Sequence, residues 1–540
     1  MGDSAKKGMV VAPQPDAVEE GVRVLKGGGN AVDAALAAAL VQGVVDPQMC
    51  GVGGFGSLLH YDRASGQFHQ IDFHGKAPYL AEPDMWEKLF LGECPDGFGY
   101  ILQGRVNDLG CQSITTPGVV AGFYDALDRF GTLSWESLFE TAIGCAANGF
   151  IVRPRLRRWW EYKPLFGRVS TLDRLNCTPE AKRIYFKNGA FFEEGDILIN
   201  EDMAKSLSLI AKEGPDYFYS GPMADAMLKD LEAGGGLLRH DDLEDYLPTH
   251  TRPLKSEYRG HTVYASPPPG GGITLLEILN ILEGYDLGGM EHNGPEYVRL
   301  VSRAMRAAFA DRARLVGDPA FVDVPVDRLI SGEHAAGIRE ELDAGRDFDV
   351  PVSRVYEPPD TTHISVLDKQ GNAVAMTHSL GVSAGVITPG LGFMYNNCMN
   401  AFDPVPGGVN SIQPGKSRVT GMAPTIVCKN GRPYFILGAP GGTRIITSVL
   451  QAILNVIDFG MSAQESVSAP RFDCQRDIIY LQARIPSSTC QALEGMSCKT
   501  ERSFLSYGGF GLVHGILVDE ERGVLQGGSD PAGDGMPLTV

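Results

Sequence analysis

Two hairpin signatures set the limits on this fold. Residues 361–380, TTHISVLDKQGNAVAMTHSL, place β-branched runs on either side of the turn signal DKQGN. Residues 424–442, PTIVCKNGRPYFILGAPGG, repeat the pattern around KNGRP. Strand runs bracketing Asn-Gly and Gly-Asn turns read as antiparallel hairpins. The apolar stretch RIITSVLQAILNVIDFG (444–460) reads as a helix. The C-terminal third is therefore expected to form sheets covered by helices. Upstream the texture changes. PDAVEEGVRVLK (15–26) reads as a helix stopped by GGGN, and Asn30 can cap AVDAALAAALVQGVV (31–45). A Gly-rich turn at 51–56 then leads into a strand. Residues 115–350 read as mostly helical and acidic. PVSRVYEPPD (351–360), with three prolines, reads as an exposed linker.

Composition narrows the function classes. Of 540 residues, 43% are hydrophobic and 21% charged, as in an ordinary globular protein. The formal net charge of -19 argues against non-specific nucleic-acid binding and against an anionic membrane surface. An anionic small substrate stays open, because a local pocket can oppose the global sign. The sequence has no run of 18 apolar residues and no apolar segment at its start, so a cytoplasmic location is expected. Ten scattered cysteines without a C-x-x-C pair read as thiols of a reducing compartment.

Three motifs invite chemistry. GVGGFG (51–56) matches a dinucleotide fingerprint, but a helix precedes it and a strand follows, the reverse of the required order. RHDDLEDY (239–246) reads as helix capping with a solvated acidic face rather than a metal site. The pair Thr361-Thr362 differs from both, because it follows Pro-Pro-Asp at the very start of a strand. A hydroxyl is a poor nucleophile without a base, and a residue's own α-amine can serve as that base. A free α-amine has a pKa of about 7.7–8.0, close to working pH. Cleavage between Asp360 and Thr361 would create one.

The chain resembles the γ-glutamyltransferase family of N-terminal nucleophile hydrolases over nearly its whole length. The segments that carry the resemblance are GMVVAPQPDAVEEGVRVLKGGGNAVDAALAAAL with GVGGFG, TTPGVVAGFYDALDRFG, PPPGGGITLLEILNILEGYDL, TTHISVLDKQGNAVAMTHSL, PTIV, GAPGGTRIITSVLQAILNVIDFG and GGSDPAGDG. The resemblance implies a four-layer αββα sandwich and self-cleavage into a large subunit, 1–360, and a small one, 361–540, that stay together. It implies that Thr361 is the nucleophile and that Thr377 and Ser379 orient it and assist processing. It also implies that Gly441 and Gly442 form the oxyanion hole. No metal or organic cofactor is implied. The partners expected are a small-molecule amide and the two subunits themselves, as one pair or as a dimer of pairs.

The family's γ-glutamyl reader is where this sequence departs. The arginine of the family's IDFRE is His74 here, and the Asn after its T-x-T-L run is Gly381. The family's NN[QE]MDDF reads NNCMNAF, with Cys398, Asn400 and Ala401 at the changed positions, and its SS pair is Thr420-Gly421. Hydrogen bonds to charged groups are worth ~1.5–3 kcal/mol each, so losing several should cost a γ-glutamyl substrate on the order of 10³-fold. His74, Tyr395, Asn397, Asn400, Arg418 and Thr420 sit at or beside the lost positions and could hold another acyl group; for His74 and Tyr395 ordinary packing is the alternative. Cys398 is a rival nucleophile to which the sequence assigns no base. The function expected is an autoprocessing amidohydrolase of the acylase or oxamate-amidohydrolase kind. A γ-glutamyl hydrolase with an unusual reader and a non-catalytic binding relative are the rivals.

Overall fold

The computed structural model describes residues 8–94, 99–162, 168–350, 361–519 and 522–540. The expected linker 351–360, with Asp360, lies outside them. Thirteen strands among the described residues build two antiparallel sheets. In chain order they are β1 (Met9–Ala12), β2 (Phe55–Asp62), β3 (Gln67–Phe73), β4 (Thr249–Thr251), β5 (Leu254–Tyr258), β6 (His261–Ala265) and β7 (Thr362–Leu367). They continue with β8 (Ala373–Ser379), β9 (Thr425–Lys429), β10 (Arg432–Gly438), β11 (His514–Asp519), β12 (Val524–Ser529) and β13 (Met536–Thr539). The first sheet runs β4-β3-β2-β8-β7-β1-β13 and the second β5-β6-β9-β10-β11-β12. Both expected hairpins form, β7–β8 and β9–β10.

Period-two alternation explains the layering. In the first sheet Val10, Leu58, Val366, Val374 and Met376 face a helical layer, while Met9, Val11, Leu59, Leu367 and Ala375 face the second sheet. In the second sheet Ile426, Ile436 and Ile516 point inward, and Val427, Leu437 and Leu517 outward. Each strand thus has two apolar faces, and each sheet needs a cover on both. Helices α1 (Pro15–Lys26) and α2 (Ala31–Val45) lie in the layer over the first sheet. Every residue of α2 is buried, and Asn30 and Asp33 close its capping box. Over the second sheet lie α3 (Gly272–Leu282), α4 (Pro295–Leu315), α5 (Gly332–Asp343) and α6 (Arg444–Ile457). The result is the expected αββα sandwich.

The stretch 249–265, read from sequence within a helical region, forms β4, β5 and β6 instead. Strand β5 is an edge strand whose Lys255 and Glu257 are exposed, which blunts that edge and hides its alternation. Its turn uses Arg259 and Gly260 at positive φ, 48° and 72°. Arg259 is held there by Glu283 O at 2.7 Å and Asp458 at 3.2 Å.

Where α3, α4 and α5 meet, His334 Nε2 lies 2.8 Å from Asp311 Oδ2 and 3.2 Å from Glu277 Oε1. The ligand atoms of this trio sit within 4.8 Å of one another, a cation-site spacing, and the imidazolium can itself be the cation. Hydrogen bonds to Asp311 and then Glu277 raise His334 to about 9, and burial raises Glu277 to about 8. Both values exceed the ordinary ones, so the folded form keeps protons that the unfolded form releases. The stability from His334 is complete below pH 6.5 and lost as pH rises towards 9. That from Glu277 is lost as pH rises from 4.5 towards 8. The melting temperature is expected to fall from about pH 6.5 to 9, by an amount equivalent to roughly 2 kcal/mol. A Glu277→Gln, Asp311→Asn double variant should lose most of that slope. Parallel curves for the two proteins would refute the assignment.

Candidate active site

Thr361 immediately precedes β7 and is 6% exposed. Its hydroxyl donates to Ser379 Oγ at 3.1 Å, and the same Oγ accepts the Gly381 N–H at 2.8 Å. The register explains the contact: Thr362 pairs with His378, so Thr361 comes opposite Ser379. Alternation then puts Thr361, His363, Thr377 and Ser379 on the face turned towards the second sheet. Thr362 and His378 fall on the helical face. There the Thr362 hydroxyl accepts from Gln42 Nε2 at 2.9 Å and donates to Gln14 Oε1 at 3.2 Å. His378 Nε2 meets Gln42 Oε1 at 2.8 Å. The two adjacent hydroxyls therefore have separate work: Thr361 faces the inter-sheet site, and Thr362 ties the strand to α1 and α2.

The glycine pair arrives at the same end of the sandwich. Strand β10 ends at Gly438, where a Cβ would lie 2.3 Å from the His363 ring. His363 is two residues from Thr361, and the chain continues from Gly438 through Ala439 and Pro440 to Gly441 and Gly442. Both glycines have positive φ, 143° and 62°. A Cβ on Gly441 would sit 2.5 Å from Gly511 Cα. The 14-residue helix α6 begins two residues after Gly442. Backbone N–H groups ahead of a helix favour developing negative charge.

Phe55, not singled out from the sequence, organises the third part. It is the β2 partner of Ser379. Its ring meets the His74 imidazole edge-on at 4.6 Å and lies 5.1 Å from the Arg418 guanidinium, with Cys398 and Met422 packed against it. His74 is 2% exposed, and burial and then Arg418 push its pKa well below the ordinary value, so the ring is neutral. Neither of its ring nitrogens has a hydrogen-bond partner among the described residues, and neither has Nδ2 of the buried Asn400. These are buried polar atoms without a hydrogen-bond partner among those residues, and β2 with Phe55 lies between His74 and Ser379.

The other candidates are bound into the framework. The Tyr395 hydroxyl lies 2.8 Å from Thr388 Oγ1 and its ring packs edge-on against Phe393 in the core on the helical side. Asn397 accepts the Val382 N–H at 2.9 Å and donates to Asp108 O and Oδ1, each at 3.1 Å; Asp108 is ion-paired to Arg174 at 2.7 Å. It thereby holds the turn that follows Ser379. Thr420 Oγ1 accepts the Met422 N–H at 3.1 Å, and its carbonyl accepts from Arg312 at 2.7 Å. The structure thus gathers Thr361 with Ser379, and His74 with Arg418 around Phe55. It does not bring Tyr395 to that group, and Asn397 reaches the turn after Ser379. Besides Phe55, the sequence reading missed His363 and Gly438; the only trace of their meeting is their position at the ends of two expected strands.

The sequence model of the family described as gamma-glutamyltranspeptidase matches residues 17–540. The chain is 38% identical to the acylase ACY 1 proenzyme of Pseudomonas sp. (strain V22), over 99% of this chain and 94% of that protein. It is 35% identical to the glutathione hydrolase proenzyme of Escherichia coli (strain K12), over 98% and 90% respectively. In three dimensions it is similar to the crystal structure of cephalosporin acylase from Bacillus halodurans. The TM-score is 0.86 at 28% identity, covering 99% of this chain and 96% of that one.

Proposed function

Because the chain belongs to the gamma-glutamyltranspeptidase family of N-terminal nucleophile hydrolases, we propose that it cuts its own Asp360–Thr361 bond and then hydrolyses a small amide whose acyl group is not γ-glutamyl. Thr361 Oγ attacks the amide carbonyl, and the new α-amine takes the hydroxyl proton. The backbone N–H groups of Gly441 and Gly442 face the oxyanion. The amine leaves with the proton, and an acyl ester remains on Thr361. Water, deprotonated by the same α-amine, then frees the acid. Ser379 holds the attacking hydroxyl. The two subunits, 1–360 and 361–540, stay together because β7 and β8 of the second lie between β1 and β2 of the first.

The single observation that carries the substrate reading is the buried cluster around Phe55. A neutral His74 with two open ring nitrogens stands where the family pairs an arginine with the substrate carboxylate. The buried Arg418 guanidinium stands by the same Phe55 ring, and with His74 it is proposed to hold a neutral or singly anionic acyl group. A relative named acylase, 38% identical, supports the same reading. The second reading is a γ-glutamyl hydrolase, favoured by Arg418 as a carboxylate partner and by the relative named glutathione hydrolase.

The test is an intact mass under denaturing conditions, followed by a panel of amides. Two species divided at Asp360–Thr361 are expected, with a γ-glutamyl anilide turned over on the order of 10³-fold less efficiently than the best acyl amide. A single uncut species after long incubation at neutral pH would overturn the mechanism. A γ-glutamyl anilide as good as any other amide would overturn the substrate reading alone.

A further inference from the structure

Beneath the proposed nucleophile the space between the sheets is polar rather than apolar. His363 is fully buried on β7. Its Nδ1 lies 2.8 Å from Thr377 Oγ1 on β8, and its Nε2 lies 3.0 Å from Ser365 Oγ. The Ser365 hydroxyl in turn donates to the His514 carbonyl of β11 at 3.3 Å. The bare Cα of Gly438 on β10 leaves room for the ring, since a Cβ there would come within 2.3 Å of it. Burial, with His378 nearby, holds the His363 pKa down at about 3, so the ring is neutral and carries one N–H. Alternation places His363 and Thr377 on the same face as Thr361 and Ser379.

The hydrogen bonds then have one direction. A carbonyl can only accept, so the single Ser365 proton goes to His514 O. Ser365 Oγ must therefore accept from Nε2–H. With its proton on Nε2, the neutral ring offers a lone pair at Nδ1, and that lone pair takes the proton of Thr377.

We propose that His363 is a positioning residue: through the chain Thr377, His363, Ser365 and the His514 carbonyl, it points the Thr377 proton away from Thr361 and leaves Thr377 only lone pairs to offer at the active site. Thr377 is the diagonal neighbour of Thr361 across the β7–β8 pair. An oxygen that can only accept takes an N–H from the α-amine of the matured Thr361. The amine's own lone pair is then left for the nucleophile's hydroxyl proton. A Thr377 free to rotate would donate to that lone pair and compete with the reaction. The inference rests on the maturation reading for its catalytic consequence, but the bond direction is a property of the chain whether cut or not.

Two measurements test it. The first is the ¹⁵N spectrum of histidine-labelled full chain, with the His363 signals found by difference against His363→Phe, or against His363→Asn if the Phe variant does not fold. A neutral ring protonated at Nε2 and unchanged between about pH 5.5 and 8.5 is expected; protonation at Nδ1, or titration in that range, would overturn the proposal even in a chain that never splits. The second is kcat and KM per processed molecule, scored by mass, on the best amide of the panel. His363→Phe keeps the ring but not the acceptor, and kcat should fall about tenfold or more with KM unchanged. His363→Asn, whose Oδ1 can accept from Thr377, should recover to within about threefold of wild type. Ser365→Ala, which frees the tautomer and leaves the ring in place, should fall between the two. Wild-type kcat in His363→Phe, or a loss in His363→Asn as large as in His363→Phe, would overturn the proposal. If His363→Phe does not mature, wild-type kcat in Ser365→Ala would overturn it. Failure of the wild-type chain to split would instead be a failure of maturation, read from the mass alone.

Discussion

Thr361→Ala is expected to remain one uncut chain with amidase activity reduced by at least ~10⁴-fold, the scale on which removing a covalent nucleophile acts. One hydroxyl is asked to do two jobs. In the proposed mechanism it opens the Asp360–Thr361 bond and then carries the acyl group in every turnover. Without Oγ there is no internal nucleophile for the first step, so the α-amine that would serve as base is never made. The fold itself should survive, because Thr361 lies before β7 and contributes no ladder bond that alanine cannot make. Thr361→Ser should recover both cleavage and turnover at lower rates, since the oxygen is kept and only the methyl is lost. The informative control is Thr362→Ala, one residue along. Its hydroxyl serves Gln14 and Gln42 on the helical face. That variant should mature and turn over normally and lose about 1 kcal/mol of stability. Denaturing mass spectrometry with an amide assay separates the three. A cut, active Thr361→Ala would remove the nucleophile assignment.

Gly441→Ala carries the second large effect, a fall in kcat of about 10²–10³-fold with KM little changed. Two constraints meet at this residue. Its φ of 143° belongs to the region that only glycine adopts freely, and a Cβ would lie 2.5 Å from Gly511 Cα, a backbone atom that cannot swing aside. The segment must move, and with it the N–H groups of Gly441 and Gly442. Those groups matter most where negative charge develops on the substrate oxygen, which is why the loss should appear in kcat rather than in KM. Steady-state kinetics on the processed protein decide it. A kcat within about threefold of wild type would mean that the oxyanion is held elsewhere.

Local chemistry made some of this readable in advance and left the rest hidden. DKQGN and KNGRP announce their hairpins because the turn residues are sequence-local, and Asn30 announces α2 for the same reason. Within 249–265, the edge strand LKSEY escaped because its exposed Lys255 and Glu257 alternate with Leu254 and Ser256, which are only partly buried. Thr361 and the glycine pair stand out as motifs in the sequence, and their proposed roles are those the family resemblance implies. The cluster around Phe55 was not legible, because it depends on register. Phe55 matters only once β2 is known to bring it opposite Ser379, and Arg418 reaches His74 from 344 positions away along the chain. Tyr395 and Asn397 show the converse. They stand within a few positions of Asn400, yet their side chains serve Thr388 and Asp108. Side-chain direction in an irregular segment has no periodicity from which it could be read.

The two ends of the described chain have a bearing on what scission means. Strand β13 pairs with β1, and the Val540 N–H donates to Gly8 O at 2.9 Å. The described residues thus bring the last strand of the chain against its first. A cut between residues 360 and 361 would therefore leave two chains interleaved in one sheet, with β7 and β8 of the second between β1 and β2 of the first and β13 of the second beyond β1. The proposed cut would place the new terminus, Thr361, at the centre of a sheet rather than at its edge.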